Sequence, residues 1–351
     1  MKKSQIAELK EICEIAGAPG HEQRIRALVI DKIKDLVDEY KTDALGNVIA
    51  IIRGSSDKKV MIAAHMDEIS FIVTHIDDKG FIRFHTLGGF DAKTLTAQRV
   101  IIHGKEDILG VMGTKPIHTM TPEERTKAPK TTDFFIDTGL PGEKVKELVS
   151  IGDTITRERT LEVMGDCVNA KSIDNRVSVY ILIEALRRLK GEELPHDVYA
   201  VFTVQEEVGL RGAMTAASGI DPDFGIALDV TLAYDLPGSQ PHEVISELGK
   251  GTAIKVMDGA TICDYRMVKY MKSVAEKENI NHQMEVLPAG GTDTAGIQRF
   301  SKGGSIAGAI SIPTRYLHQV IEMAHMQDIE DTISLLCACL KQMDSYDWSF
   351  K

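Results

Sequence analysis

Positive charge is in short supply in this 351-residue sequence: 41 Lys and Arg stand against 52 Asp and Glu, for a formal net charge of −11 at pH 7. That balance argues against a general nucleic-acid or anionic-membrane binder, because both surfaces call for a basic face. Long apolar runs are missing as well. No stretch approaches the roughly 20 residues of a membrane span, and polar residues interrupt every run after Met1-Lys2-Lys3, so no signal-peptide core forms. Cysteine is sparse and unpaired in pattern: Cys13, Cys167, Cys263, Cys337 and Cys339 are odd in number and contain no Cys-x-x-Cys. This argues against a disulfide framework or a thiolate zinc site and favours a reducing compartment, so a cytoplasmic location is expected. Internal repeats and low-complexity tracts are also absent.

What remains has the composition of a globular protein, with 43% hydrophobic and 26% charged residues, and a length that favours two domains. The chain is organised around Val198 to Leu210, an apolar, β-branched run that stops at the adjacent carboxylates Glu206 and Glu207. Such a run reads as a strand buried on both faces of a parallel sheet, whose C-terminal end opens onto a ligand crevice. Further strands are expected at Val48 to Ile52, Val60 to Ala64, Phe224 to Leu228 and Ile306 to Ile312. Helical spacing appears in residues 3 to 17, from Ile25 to Leu36, from Asp174 to Lys190 with one broad apolar side, from Gly209 to Ala217, from Met267 to Asn279 and from Ile329 to Leu340. Between them, residues 71–159 change to short alternating strands with glycine turns, and Thr119 to Thr132 reads as an exposed, mobile loop. The expected architecture is α/β: a mostly parallel central sheet flanked by helices, built from residues 1–70 and 160–351, with a small β-rich domain inserted at 71–159.

Five side chains of metal-ligating type fall at equivalent places in that scheme. His65, Glu207 and Asp229 follow apolar strands, Asp174 opens a helix, and His318 lies six residues beyond the strand ending at Ile312. Singly, each has an ordinary explanation. A histidine after a strand is commonly a cap or a surface residue, Asp174 suits a helix N-cap, and Asp229 could begin a turn. Jointly they converge, because parallel strands bring their C-terminal ends to one edge. Two imidazoles and three carboxylates suit zinc, cobalt or manganese. Five ligands exceed one catalytic zinc and fit two ions sharing a carboxylate. Two further acids are spare: Asp67 can accept from the imidazole N–H of His65 that faces away from the metal, and Glu206 is free to move a proton.

These residues lie within motifs that resemble the tetrahedral-type dinuclear metallo-aminopeptidases, which include glutamyl and deblocking aminopeptidases. The motifs are Ala18-Pro19-Gly20-His21-Glu22, Ala64-His65-Met66-Asp67-Glu68, Ser172-Ile173-Asp174-Asn175-Arg176, Gln205-Glu206-Glu207-Val208-Gly209, Leu228-Asp229-Val230-Thr231, Gly290-Gly291-Thr292-Asp293-Thr294 and Ile312-Pro313-Thr314-Arg315-Tyr316-Leu317-His318. The resemblance implies a zinc-exopeptidase-like catalytic domain with Asp174 bridging two metals. His65 and Asp229 would complete one site, and Glu207 and His318 the other. It further implies Glu206 as the catalytic base, Asp67 as the acid behind it, and substrate contacts at Gly291, Thr292 and Asp293. Gln319 departs from the serine that many members carry. The expected activity is removal of amino-terminal residues from peptides by a metal-bridging water that Glu206 activates. A dinuclear deacylase or carboxypeptidase on the same fold is the alternative. Two divalent ions per subunit are expected, as are peptide substrates, no nucleic-acid or membrane partner, and homo-oligomers: dimers built through the inserted domain, which in the family assemble into a tetrahedral dodecamer.

Overall fold

Runs such as Val48–Ile52 and Lys59–His65 are almost wholly apolar, and both are buried nearly end to end. Strands of this kind need cover on both faces. The computed structural model describes residues 1–350 and supplies it. In chain order the strands are β1 Glu39–Thr42, β2 Val48–Ile52, β3 Lys59–His65, β4 Ser70–Ile76, β5 Ile82–Leu87, β6 Arg99–His103, β7 Asp107–Gly113, β8 Phe135–Asp137 and β9 Thr154–Arg157. They continue as β10 Glu162–Met164, β11 Cys167–Ala170, β12 Asp197–Thr203, β13 Phe224–Leu232, β14 Thr252–Met257, β15 His282–Val286, β16 Ile306–Arg315 and β17 Glu322–His325. Among the described residues they form one eleven-stranded sheet and one closed six-stranded barrel, the latter from β4 to β9.

The sheet is mixed, which corrects the expectation of a mostly parallel one. Its centre, in the order β12-β3-β13-β16, is parallel. The flanks at β1, β2, β14, β17, β11 and β10 join it mainly through antiparallel pairs. Helix Ile173–Leu189 is buried around nearly its whole circumference, beyond the single apolar side its sequence suggests, because the sheet lies on one flank and helices Lys3–Glu14 and Met326–Gln342 on the other. Helices Arg211–Ile220 and Thr294–Phe300 cover the opposite face, where Ala63, Ala216, Ala227 and Ile297 form a second apolar layer. The barrel has a core of its own around Phe71, Ile82, Val100, Ile136 and Ile155.

Two local expectations change. Asp229 lies inside β13, not after it, because pairing with β16 runs on to Leu232. Pairing of β13 with β3 stops at Ala227, so the two strands part just where Asp229 is reached. Asp174 stands at a non-helical kink before the helix proper, and its position is not that of an N-cap. Thr119 to Thr132 is exposed, as expected, and within it Pro122–Thr126 is a short helix, capped reciprocally by Thr121 and Glu124.

Candidate metal centre

His65 ends β3, and its Nδ1 lies 3.1 Å from the backbone carbonyl of Asp67, which turns Nε2 toward the sheet edge. That Nε2 is 3.2 Å from Asp174 Oδ1, 3.7 Å from Glu206 Oε2 and 3.8 Å from Asp229 Oδ1. The other oxygen of Asp174 faces a second imidazole, with Oδ2 3.3 Å from His318 Nε2, and His318 Nε2 is 3.6 Å from Glu207 Oε2. All five expected ligands and Glu206 therefore meet at one place. They group as His65, Asp174 and Asp229 on one side and Asp174, Glu207 and His318 on the other, with a further grouping of His65, Glu206 and Glu207.

The surrounding residues fix these side chains. Asp67 is fully buried and accepts the backbone N–H groups of Glu206 at 3.0 Å and Glu207 at 3.1 Å. Its carboxylate is farther from His65 Nδ1, at 3.6 Å, than its carbonyl is, so the expected imidazole-to-carboxylate bond gives way to one with the backbone. Glu322, which sequence reasoning passed over, accepts the N–H of Asp174 at 2.8 Å through Oε2 and that of His318 at 3.2 Å through Oε1. Glu68, also unassigned, accepts from Lys171 Nζ at 2.7 Å and from the Ser172 hydroxyl, with Arg176 Nη2 at 3.4 Å. All four of these residues are buried. Glu68, Ser172 and Arg176 lie within motifs quoted above, whereas Glu322, a lone Glu before Met-Ala-His, carries no signal until the strand is folded.

Electrostatics show what the centre would accept. Burial, reinforced by the neighbouring Asp174 carboxylate, pushes Glu207 up to about 8. Burial and Asp174 likewise push Asp229 up to about 8, against the relief that His65 gives. Glu206 is raised well above the ordinary carboxylate range, chiefly by burial, with the charges of Asp229 and Glu207 adding to it. Burial opposes charge on His318, yet its hydrogen bond to Asp174 and the charge of Glu207 push it up to about 10. Carboxylates crowded this closely resist ionising together. Divalent cations relieve that conflict, and Glu207 Oε1, buried without a hydrogen-bond partner, is a free ligand atom for one. The donor set fits two ions of the zinc, cobalt or manganese kind.

Beside the centre opens a cavity of about 510 Å³, walled by Leu210, Leu232, Leu287 and Leu317, with Lys255 and Asp258 among its lining residues. Lys255 is fully buried and pairs with Glu285. Gly291 and Thr292 line this cavity. Asp293 does not; it is buried behind the centre, where one oxygen accepts from the Thr203 hydroxyl and the other has no partner.

A family model described as M42 glutamyl aminopeptidase matches residues 46–335. The chain is 36% identical to the lysyl aminopeptidase of Pyrococcus furiosus, with 97% of this chain and 98% of that protein covered. The structure superimposes with a TM-score of 0.94 on the TET aminopeptidase of Thaumarchaeota archaeon SCGC AB-539-E09, at 34% identity and with 97% and 96% of the two chains covered. It is also similar to the TET1 peptidase of Pyrococcus horikoshii, described as assembling into a tetrahedron or a large octahedral shell. There the TM-score is 0.87 at 34% identity, over 96% of this chain and 99% of that one.

Proposed function

The chain belongs to the M42 aminopeptidase family and is a metal-dependent aminopeptidase, and from that premise we propose how its residues divide the work. Asp174 would hold both of two divalent ions, zinc or cobalt with manganese as the alternative. His65 and Asp229 would complete the first site, and Glu207 and His318 the second. The observation that carries this assignment is the placement of Asp174, whose two oxygens each face a different imidazole, at 3.2 and 3.3 Å. Held by these residues, two such ions would supply Lewis-acid chemistry, polarising the scissile carbonyl and lowering the pKa of the attacking water.

Glu206 is the proton carrier. It is held in place by its backbone bond to Asp67, and its side chain lies beside His65 while leaving the two triads complete without it. From there it takes a proton from the attacking water and returns it to the leaving amine. The free α-amine of the substrate would be held near the ions or nearby carboxylates. The first side chain enters the leucine-walled cavity, against Gly291 and Thr292. Asp293 acts from behind, steadying the end of β12 through Thr203.

Residues 1–70 and 160–351 form the catalytic unit, and the barrel at 71–159 serves assembly into homo-oligomers, dimers that close into a tetrahedral dodecamer. The assembly described for the similar TET1 peptidase supports this. The five cysteines are free, in keeping with a cytoplasmic location.

Replacing Glu206 with Gln tests the mechanism. Loss of a positioned acid–base group typically costs about 10²- to 10⁴-fold, so hydrolysis of amino-acid arylamides should fall by that much while two zinc ions per chain are retained. Turnover near the parent's with full metal loading sinks the assigned role. Acetylating the amine of a good substrate should abolish cleavage.

A further inference from the structure

His318 is the least enclosed of the five ligands. Its side chain is 43% exposed, against 2% for His65. It sits on the loop between β16 and β17, where Tyr316 (φ +64°) and His318 (φ +57°) both take the left-handed conformation that a side chain disfavours. A loop of that kind keeps its shape only where its surroundings impose it. Three contacts do so. Glu322, on the next strand, accepts the His318 backbone N–H. The other two reach across from the inserted barrel.

Gly89, in the turn after β5, offers its carbonyl to His318 Nδ1 at 3.0 Å. The turn lies very close. A Cβ on Gly89 would stand 3.3 Å from that nitrogen, and one on Gly88 (φ +92°) would stand 3.4 Å from Glu207 Cβ and 2.6 Å from Ile69 Cγ2. Both ligands unique to the second triad are thus backed by two consecutive glycines of the barrel. Arg157, the last residue of β9, donates through Nη1 to the carbonyl of Gln319, next to His318. It is 3% exposed, its guanidinium lies 5.8 Å from the Phe90 ring, and its Nε and Nη2 have no hydrogen-bond partner. Burying a guanidinium with spare donors is unfavourable, and its one hydrogen bond goes to the ligand loop. By contrast, His65, Asp174 and Asp229 all come from the large sheet and the helix packed on it.

We propose that the inserted barrel is part of the metal centre: Gly89, through its carbonyl, and Arg157, through the carbonyl of Gln319, are positioning residues that hold His318 and govern occupancy of the second ion. The bond at Nδ1 keeps the proton there and presents Nε2 as the ligand atom. The first ion is indifferent to both residues. This proposal rests on the two-ion reading above.

The test uses the full chain and its Gly89→Ala, Arg157→Ala and Arg157→Lys variants, equilibrated against graded free zinc with bound metal counted per chain. The visible absorption of the cobalt-substituted forms is recorded in parallel. Gly89 is not left-handed, so alanine there alters only the approach to His318. The parent should hold two ions. Gly89→Ala and Arg157→Ala should keep the first at the parent's affinity, bind the second about 10- to 100-fold more weakly, and change the cobalt spectrum. Arg157→Lys, which keeps one donor, should restore part of the loss. Variants that hold the second ion as the parent does, with the parent's spectrum, overturn the proposal, and so do variants that lose both ions in parallel. If Arg157→Ala does not fold, Gly89→Ala decides alone. A parent that binds a single ion sinks the two-ion reading itself, which is a different result from two ions and insensitive variants.

Discussion

Glu322 joins two candidate ligands from different parts of the chain, since one oxygen holds the N–H of Asp174 and the other that of His318. A charged acceptor for two buried donors is costly to remove, because both are left unsatisfied. Glu322→Ala should lower unfolding free energy by about 1–3 kcal/mol and weaken zinc binding about 10- to 100-fold, as read by a urea melt and a competitive zinc titration. Parental values in both measurements would show that the two N–H groups find other partners. Glu322 could not be found in the sequence, where it is one acid before Met-Ala-His. His65, Glu206 and Glu207 could, because each follows a run whose burial is dictated by its own composition.

The turn after β12 carries Glu206 and Glu207, and helix Arg211–Ile220 packs directly on it. A Cβ on Gly212 would lie 2.4 Å from the Val204 carbonyl oxygen and 2.4 Å from Asn47 Oδ1. Asn47, buried before β2, accepts from Val204 N–H and donates to the Gly212 carbonyl, both at 3.0 Å. The element that carries Glu206 and Glu207 is therefore stapled at a point with no room for a methyl group. Gly212→Ala should cost about 1–3 kcal/mol by overpacking and should lower kcat, since the backbone that must move carries both carboxylates. Asn47→Ala, which leaves the Val204 N–H unpaired, should cost about 1–3 kcal/mol. A thermal melt and arylamide kinetics check both. Either variant matching the parent in both would mean the turn is held elsewhere. The same scale explains two missed strands. Thr252–Met257 and His282–Val286 contain Lys255 and Glu285, charges that break an apolar pattern in the sequence but are fully buried as a pair between adjacent strands.

At the scale of the molecule, the metal-free chain carries its crowded acids as a stability cost that depends on pH. Glu207 and Asp229 keep their protons up to about 8 when folded, against 4.5 and 3.8 as free groups. Folding stability is therefore lost as pH rises through that interval. His318, protonated up to about 10 when folded and 6.5 when free, adds a loss of the same sign at higher pH. Asp174, depressed below 3.8 against burial by its two histidine partners, contributes stability that is present above its free value and disappears only in stronger acid. The melting temperature of the chelator-treated protein should therefore fall steadily from about pH 5.5 to about pH 9, and saturating zinc should flatten the curve. A flat profile without metal would contradict the crowding. Light scattering should return a mass well above the 38.6 kDa chain if the barrel mediates assembly, and a monomer would refute that role. The sequence by itself determined the alternation of strand and helix, the β-rich texture of the middle, and the candidate ligands, because burial of β-branched runs and clustering of acids and histidines at their ends are local properties. Only the tertiary structure decided that the sheet is mixed and that Asp229 lies within its strand. It alone also brought Glu322, Gly89 and Arg157 to the centre, because those contacts join residues up to 229 positions apart, and no local pattern records them.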